Sequence, residues 1–591
     1  MIKLKSLSHS CLIFIILTIF FGCNSPAEKS DNSWIYQENT GENQIKRKYI
    51  LPVDIKNITN SPEATIENTD ALLTNNSGQA DLAGANLCVL SGNNIANPAI
   101  LIDFGKELHG GIEIITGAFD KGHQMKIRLT LGESISEALS KVENSTATND
   151  HAMRDFEVTL PWLGKINIGN SGFRYAKIEL LDKDVTLNLK EVRAISVMRD
   201  IPYLGSFKCN DDRLNRIWET GAYTVHLNMQ EFLWDGIKRD RLVWVGDMHP
   251  EVMTILSVFG YNEVVPKSLD FIQNITQLPS WMNGISSYSM WWIILQYQWY
   301  MNTGDLNYLE SHKTDVYELL EQLSTKIDDN GKEFLDGFRF LDWPTSPNKE
   351  AIHAGLQSMM IMSFEAGAEI AAIFGDIESQ DKYLTTIKEL KRHVPVPNGS
   401  KSGGALMALS GLSDPPAMND TLLSINPNNG ISSFYGYYVL KARAEAGDIT
   451  GSLNVIRDYW GVMLDMGATT FWEDFDLSWT ENATGIDEMP VEDKSDIHAD
   501  NGGYCYVGLR NSLCHGWASG PTAWLSEYVL GVKPIEPGCK KVLIKPNLGD
   551  LDWAEGTFPT PWGLIKIRHQ KDANGKVASE VTGPKEVEIV Y

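Results

Sequence analysis

The connectors in the middle of the chain, roughly residues 210–530, alternate between tight glycine joints and long links. Helical periodicity dominates this region, and three of the joints are Thr303-Gly304-Asp305, Phe374-Gly375-Asp376 and Ala446-Gly447-Asp448. Glycine readily ends a helix in the left-handed conformation, and aspartate can cap the helix that follows. Each of these joints therefore predicts a helical hairpin, as does Phe259-Gly260.

The links between hairpins exceed the about 2–8 residues usual between packed helices, and long links commonly carry a binding surface. They span residues 235–249, 277–287, 329–350, 394–430 and 467–512. Strict alternation places them all at one end of the hairpins.

A ring of hairpins with a mouth at that end, an (α/α)6 barrel, satisfies this order. The near-constant spacing of Gly304, Gly375 and Gly447 favours a ring. Ten helices are visible where twelve are needed, so we expect the missing pair around Thr220-Gly221 and within 394–430. A solenoid is the alternative, but β-type regions at both ends of the chain argue against it.

Short apolar or alternating segments precede and follow the helical region. Residues 99–103, 111–115, 125–130 and 175–180 predict strands of an N-terminal β-sandwich, and 542–545, 564–568 and 587–590 predict a small C-terminal β-domain. The expected fold class is multidomain α and β. The predicted boundaries are 1–22 for a signal peptide, 23–33 for a tether, 34–205 for the β-sandwich, 206–532 for the barrel and 533–591 for the C-terminal domain.

The first 22 residues have the features of an export signal. Lys3 and Lys5 precede an apolar run that is too short to cross a bilayer. The run ends at Phe-Phe-Gly-Cys23, which resembles a bacterial lipoprotein cleavage box. We expect Cys23 to be lipidated, with ordinary signal cleavage nearby as the alternative. The protein is then a lipid-anchored component of the bacterial cell envelope, periplasmic or on the outer-membrane surface, and it meets the membrane only through the anchor.

The net charge argues against a nucleic-acid-binding protein, and the cysteine content argues against a fold held together by disulfide bonds. The formal net charge of −25 repels phosphate backbones, so nucleic acid is not an expected partner. Beyond the predicted signal and Cys23, five scattered cysteines remain without a CxxC pair or a zinc pattern, and no disulfide framework is expected.

The segment Asp235-Gly-Ile-Lys-Arg-Asp-Arg-Leu-Val-Trp-Val-Gly-Asp247 concentrates charge in one long link. It holds three carboxylates, three basic residues and Trp244. Basic neighbours can lower the pKa of one aspartate while burial raises that of another, and acid/base chemistry needs separated pKa values. Taken alone, the segment is equally compatible with a salt-bridged helix cap.

A second acidic candidate opens the longest link, in Gly467-Ala-Thr-Thr-Phe-Trp-Glu473. Aromatic residues flank Glu473, so burial and a perturbed pKa are expected, whereas most of the later acidic residues of this link are predicted to be solvated. Two carboxylates from opposite sides of a mouth can flank a glycosidic bond.

Aromatic and polar residues recur in the other links. Trp343, beside Asp342, is a better candidate for stacking on a sugar than Trp291, Trp292 and Trp299, which share a helix and are predicted to be core. His515 stands where a link meets its helix and is expected to bind substrate only.

At these residues the sequence resembles the α-L-rhamnosidases of glycoside hydrolase family 78, within the six-hairpin glycosidases. The family hallmark Asp-Cys-Pro-x-Arg-Glu-Arg-x-Gly-Trp-x-Gly-Asp is retained here at Asp235, Arg239, Arg241, Trp244, Gly246 and Asp247. The run ending at Glu473 and the run Ser512-Leu-Cys-His515 resemble two later family motifs. The resemblance covers about residues 207–545, and 103–105 and 172–175 extend it weakly.

This resemblance implies an (α/α)6 catalytic barrel and inverting hydrolysis of terminal α-L-rhamnose from a polysaccharide or glycoside. Glu473 is then the base, and an acid lies in the first loop. The implied catalytic residues are Asp240, Glu473 and Asp247. From the residues and the resemblance together, the predicted substrate-binding residues are Asp235, Arg239, Trp244, Asp342, Trp343, Trp472 and His515. The mechanism requires no metal, and no cofactor is expected.

Departures from the hallmark leave three hypotheses open. Asp240 stands where the family has glutamate, so its side chain is shorter by one methylene, and Asp247 is the other possible donor. Val243 replaces a glycine, and Gly236-Ile237 replaces Cys-Pro. The chain is therefore a rhamnosidase with a shortened acid, a related hydrolase for another sugar, or a carbohydrate-binding lipoprotein without turnover.

Overall fold

A computed structural model of the protein describes residues 45–59, 61–74, 77–82, 86–119 and 124–591. The predicted signal peptide, Cys23 and the tether lie outside the described residues. Within them, no helix is both long and apolar enough to cross a bilayer. The five described cysteines are free thiols.

The N-terminal region is built on one nine-stranded antiparallel sheet, whose main path runs β3-β4-β9-β5-β8-β6-β7. Two further strands attach to it, β1 to β9 and β2 to β5. The strands are β1 Ile45–Ile50, β2 Asp54–Asn57, β3 Thr65–Glu67, β4 Cys88–Ser91, β5 Ala99–Thr116, β6 Met125–Gly132, β7 Asp155–Leu160, β8 Lys165–Leu180 and β9 Thr186–Arg199. Their inward side chains form a separate apolar core that includes Ile102, Leu129 and Ile178.

Two of the predicted short strands are parts of one long strand. Residues 99–103 and 111–115 both lie in β5, whose pairing with β8 shifts register between Asp103 and Leu108 and again between Gly110 and Ile112. Gly105 and Gly110 have φ angles of 84° and 142°, which only glycine adopts easily. The glycines therefore bend the strand through bulges where the sequence pattern indicated interruptions.

Helices occupy the region after β10, Ser206–Cys209. They follow a short helix, α1 Ile135–Leu139, that belongs to the N-terminal region. The helices are α2 Asp212–Asn228, α3 Met248–Val258, α4 Val264–Ile275, α5 Ser286–Thr303, α6 Leu306–Ser311, α7 Lys313–Ser324, α8 Lys349–Ile373, α9 Ile377–Leu390, α10 Lys401–Leu409, α11 Pro415–Met418, α12 Gly436–Glu445, α13 Ile449–Val455, α14 Gly461–Asp465 and α15 Gly520–Trp524. Trp291, Trp292 and Trp299 of α5 are buried in the core, as predicted.

The glycine–aspartate joints end and begin helices as the sequence predicts. Gly304, Gly375 and Gly447 have φ angles of 71°, 66° and 86°. The aspartate after each glycine caps the next helix, its side chain accepting a hydrogen bond from the backbone N–H three residues later, at 3.0–3.1 Å. The joints are thereby confirmed as hairpin turns.

Six of the helices contact one another in cyclic order. Helix α3 contacts α5, α5 contacts α8, α8 contacts α10, α10 contacts α12, α12 contacts α15, and α15 contacts α3. Other helices lie against this set, among them α9 against α8 and α13 against α12.

Both places expected to hold the missing helices do contain helix. Thr220 and Gly221 lie inside the continuous helix α2, without a joint at the glycine. Gly221 serves packing instead, because a Cβ there would lie 2.2 Å from Thr522 Oγ1 of α15. The other place, 394–430, does contain α10 and α11.

Two small sheets close the chain. Strand β10 joins a four-stranded antiparallel sheet of order β10-β15-β16-β17, and a three-stranded sheet has the order β13-β14-β18. A short parallel pair, β11 with β12, lies in the longest link. The strands are β11 Ala483–Thr484, β12 Ser495–Asp496, β13 Val532–Pro534, β14 Lys541–Ile544, β15 Trp553–Thr560, β16 Gly563–Lys571, β17 Val577–Thr582 and β18 Glu588–Val590. The predicted domain boundaries remain predictions.

Replacing Gly221 with alanine should destabilise the protein by about 1–3 kcal/mol, because the new methyl group collides with Thr522. Helix propensity alone would give the opposite sign, since alanine is favoured by about 1 kcal/mol. Thermal unfolding measures the effect. The control is Gly503→Ala, where nothing lies within 4 Å of the added Cβ. An unchanged midpoint for Gly221→Ala would contradict this close contact.

Candidate active site

A cavity of about 300 Å³ lies where the long links meet. The link before α3 supplies Asp235, Arg239, Asp240, Trp244 and Asp247 to its wall. The link before α8 contributes three aromatic residues, and the link after α14 contributes Glu473 and His515. The other lining residues are Asn283, Ile285, Tyr288, Phe338, Phe340, Trp343, Cys505, Tyr506 and Trp517. The structure thus brings the two predicted acidic segments together.

The loop carrying Asp240 is strained and held from within. Asp240 and Arg241 have φ angles of 53° and 59°, a conformation costing roughly 1–3 kcal/mol per residue. The Asp235 carboxylate accepts a hydrogen bond from the backbone N–H of Leu242 at 2.9 Å, and the Asp235 N–H donates to the Leu242 carbonyl at 3.2 Å. These contacts close the loop and present Asp240 to the cavity.

The Arg239 guanidinium lies between the two predicted catalytic carboxyl groups. Its Nη1 donates to Asp240 Oδ1 at 2.9 Å, and its Nη2 donates to Glu473 Oε1. The guanidinium also lies over the Tyr506 ring, 4.7 Å from its centroid. Asp240 and Glu473 therefore face one another across a single side chain.

Asp247 reaches Glu473 through a different group, His515. His515 Nε2 lies 3.3 Å from Asp247 Oδ2, and His515 Nδ1 lies 3.5 Å from Glu473 Oε1. The Tyr288 hydroxyl donates to Asp247 Oδ1 at 2.7 Å. Both candidate acids are thus one side chain away from Glu473.

Burial dominates the electrostatics of the site. It raises the pKa of Glu473, while attraction to Arg239 acts in the opposite direction. Burial also raises the pKa of Asp247, against its hydrogen bonds with His515 and Tyr288. The pKa of Asp235 is raised well above its usual range by burial and by repulsion from Asp240 and Asp247. For Arg239, burial alone would lower the pKa, but Glu473 and Asp240 raise it.

Two predicted substrate-binding residues do not line the cavity. Asp342 is buried and accepts hydrogen bonds from the hydroxyls of Ser402 and Ser432, both at 2.8 Å. Trp472 is buried against Phe475, with ring centroids 5.5 Å apart. The prediction rested on sequence adjacency to Trp343 and Glu473, whose side chains do line the cavity. Asp342 and Trp472 therefore lie behind the cavity wall.

Sequence reasoning missed Tyr288 and Tyr506, which both line the cavity. Tyr506 lies in the acid-rich link predicted to be solvated, and its hydroxyl accepts a hydrogen bond from Trp343 Nε1. Tyr288 is in the first turn of α5, where its ring leaves no room for a side chain at Gly246, because a Cβ there would lie 2.1 Å from it. The only sequence signal for either residue was an aromatic ring near a link.

Three side chains that could together bind a metal ion lie outside the cavity. Among the described residues, Glu133, Glu137 and His498 could converge on an ion. The Lys238 ammonium already lies among them, 3.0 Å from Glu133 Oε2 and 3.4 Å from Glu137 Oε1. The lysine supplies the positive charge that this buried group needs.

Comparisons with known proteins agree with this architecture. Residues 202–395 match the model of the bacterial α-L-rhamnosidase six-hairpin glycosidase domain, and residues 531–590 match that of the bacterial α-L-rhamnosidase C-terminal domain. The chain is thus similar to bacterial α-L-rhamnosidases in both segments, and the resemblance expected from the sequence is confirmed.

Individual relatives are similar over much of the chain. An α-L-rhamnosidase of Alteromonas sp. (strain LOR) is 26% identical over 546 residues, covering 83% of this chain and 55% of that protein. One from Formosa agariphila is 22% identical, covering 77% and 51%. This chain spans about half the length of these curated relatives.

Solved structures share the fold. The GH78 rhamnosidase of Bacillus sp. GL1 gives a TM-score of 0.71 at 23% identity, covering 88% of this chain and 55% of that chain. The rhamnosidase from Klebsiella oxytoca with rhamnose bound gives 0.65 at 20% identity, covering 82% and 96%.

Replacing Arg239 with methionine should destabilise the protein by about 3–5 kcal/mol, because it leaves buried carboxylates without their cation. Arg239 lowers the pKa of Glu473, so its loss raises that pKa further. The folded state then binds a proton more readily than the unfolded state, and the loss of stability should shrink as the pH falls. Thermal unfolding between pH 5 and 8 measures both effects.

The matched control is Arg241→Met in the same loop. Arg241 lies over the Trp234 ring and donates to the Asn170 carbonyl, and no carboxylate of the described residues pairs with it. This variant should lose less stability and show a flatter pH dependence. Equal behaviour of the two variants would contradict the proposed charge balance.

Proposed function

We propose that the protein is a glycoside hydrolase that removes terminal α-L-rhamnose from a polysaccharide or glycoside by inverting hydrolysis. The observation that carries this proposal is the placement of Asp240 and Glu473 on one guanidinium in an aromatic-lined cavity. The similarity to bacterial α-L-rhamnosidases indicates rhamnose as the sugar. The reaction requires a pair of carboxyl groups that flank the glycosidic bond.

In this mechanism Asp240 is the general acid and Glu473 the general base. Asp240 gives its proton to the glycosidic oxygen as the bond from that oxygen to C1 breaks. Glu473 takes a proton from the water that attacks C1 from the opposite face, so the product has inverted configuration. Asp247 is the alternative donor, and its burial-raised pKa favours a protonated form.

The other cavity residues would hold the sugar. Trp244 and Trp343 offer apolar ring faces, while Asp235, Arg239 and His515 offer polar groups. Rings of this kind pack on the apolar face of a sugar, and buried polar groups then fix its orientation.

We also propose that the helices form an (α/α)6 barrel and that the N-terminal sheet folds into a β-sandwich. The cyclic contacts of α3, α5, α8, α10, α12 and α15 support the barrel. The bulges of β5 support the sandwich, because bulges bend strands and allow one sheet to fold onto itself.

Two alternatives compete with this function. The shorter Asp240 and the changed positions Val243 and Gly236-Ile237 are compatible with a hydrolase for another sugar. A carbohydrate-binding protein without turnover fits the same cavity if its carboxyl groups only bind hydroxyl groups. The substrate is a rhamnose-containing glycan under the main proposal and another glycan under the first alternative.

The parent protein should release rhamnose from 4-nitrophenyl α-L-rhamnoside, and Glu473→Gln should lower kcat by roughly 100-fold or more because the base is lost. Asp240→Asn and Asp247→Asn, assayed on methyl α-L-rhamnoside because methanol needs a proton to leave, then identify the acid as the variant with the larger loss. NMR of the first sugar product should show the inverted anomer.

Glu481→Gln is the matched control for this experiment, because it makes the same change at an exposed position of the same link. It should leave the rate unchanged. Tight sugar binding without release by the parent protein would favour the binding-only alternative. Full activity of Glu473→Gln would remove that residue as the base.

We further propose a lipid anchor at Cys23 and a place in the bacterial cell envelope, in the periplasm or on the outer-membrane surface. The cleavage-box pattern before Cys23 supports this proposal. Cys23→Ser should release the protein from the membrane fraction and abolish labelling by a fatty acid. Retention of the label in that variant would contradict lipidation at this residue.

A further inference from the structure

The connection between α1 and β7 brings a histidine of the N-terminal region to the candidate acid. His151 Nε2 lies 3.2 Å from Asp240 Oδ1. The two side chains are only 26% and 16% exposed, so the contact is partly shielded from water. His151 appears in no sequence motif discussed above, and more than eighty positions separate it from Asp240 along the chain.

The connection between α1 and β7 is hydrogen-bonded to the link that follows α14. Thr146 Oγ1 accepts a hydrogen bond from the backbone N–H of Leu509 at 2.7 Å. Arg510 Nη2 donates to Asp150 Oδ2 at 3.0 Å and lies 3.2 Å from His151 Nε2. His151 Nε2, which also lies 3.3 Å from Asp150 Oδ2, is therefore in place beside Asp240 before any substrate binds.

Asp240 otherwise depends on its own strained loop. Arg239 Nη1 contacts Oδ1, and Trp244 Nε1 donates to Oδ2 at 3.1 Å. Both of these residues belong to the loop in which Asp240 adopts a φ angle of 53°. A carboxyl group held only by its own loop moves with that loop, and catalytic groups lose rate when they are displaced by about 1 Å. His151 provides a contact from a different part of the fold.

We propose that His151 is a positioning residue for Asp240, so that the proton donor of the site is assembled from the N-terminal region and the helical region together. This inference rests on the proposed function with Asp240 as the acid. The proton moves from Asp240 to the glycosidic oxygen as the bond to C1 breaks, and the alcohol leaves with that proton. His151 exchanges no atom with the substrate; it holds the carboxyl group where the transfer occurs.

The test compares two leaving groups in His151→Gln. Methanol needs a proton to leave, whereas 4-nitrophenolate leaves largely without one. A misplaced acid should lower kcat on methyl α-L-rhamnoside by roughly tenfold or more and on 4-nitrophenyl α-L-rhamnoside by less than about threefold. KM for both substrates should change little, because binding is unaffected. A purely structural role would lower both rates equally.

Two further variants complete the design. Asp240→Asn should show the same leaving-group pattern at larger magnitude. His312→Gln is the matched control, since His312 Nε2 lies 3.1 Å from Asp270 Oδ1 in a similar pair away from the cavity lining. It should leave both rates unchanged. Thermal midpoints establish that each variant is folded.

The outcomes are separable. Equal losses on the two substrates, or no loss, in folded His151→Gln overturn the positioning role. If Asp240→Asn hydrolyses both substrates at the parent rate, the acid is another residue and the inference falls with that assignment. A parent protein that releases rhamnose from neither substrate overturns the proposed function and this inference with it.

Discussion

The shared guanidinium of Arg239 is the interaction on which the candidate site depends. Asp240 and Glu473 approach one another in a buried cavity, where two like charges repel strongly and each pays a large desolvation cost. The positive charge of Arg239 between them offsets both the repulsion and the desolvation cost. The Tyr506 ring, stacked against the guanidinium, helps to hold Arg239 in this position. Without Arg239, the pKa of Glu473 would rise further or the two carboxyl groups would move apart.

The position of Arg239 in turn depends on its neighbour, Lys238. The Lys238 ammonium donates to the carbonyls of Leu509 and Asn511 at 3.0 and 2.7 Å, and it pairs with Glu133 of the N-terminal region. Consecutive residues thus point in opposite directions, Lys238 away from the cavity and Arg239 into it. The N-terminal region therefore contacts this loop at two places, through the Lys238 ion pair and through His151 beside Asp240.

Features governed by near neighbours in sequence were predictable. The glycine–aspartate joints follow from the left-handed conformation of glycine and from side-chain capping, which involve only three or four residues. The meeting of Asp240 and Glu473 was predictable because strict alternation of short and long connectors puts the long links at one end. The buried tryptophans of α5 followed from helical periodicity.

Features governed by tertiary packing were not predictable. Gly221 marks a close contact between α2 and α15, although glycine in sequence equally marks a turn. Asp342 and Trp472 each adjoin a cavity residue in sequence, but tertiary packing decides which of the two neighbours faces the cavity. The contact of His151 with Asp240 arises from the docking of one region on another, which leaves no local pattern in the sequence.

The environments of the two candidate acids favour different roles. Asp247 is buried and held at both oxygens, by Tyr288 and by His515, whose other ring nitrogen faces Glu473. Asp240 is likewise held at both oxygens, by Arg239 and by Trp244, so these contacts do not separate the two candidates. Asp240 retains 16% exposure of its side chain and stands at the cavity wall, so a glycosidic oxygen can reach it. The proposal that Asp240 donates the proton rests on this difference in exposure, with Asp247 as the alternative.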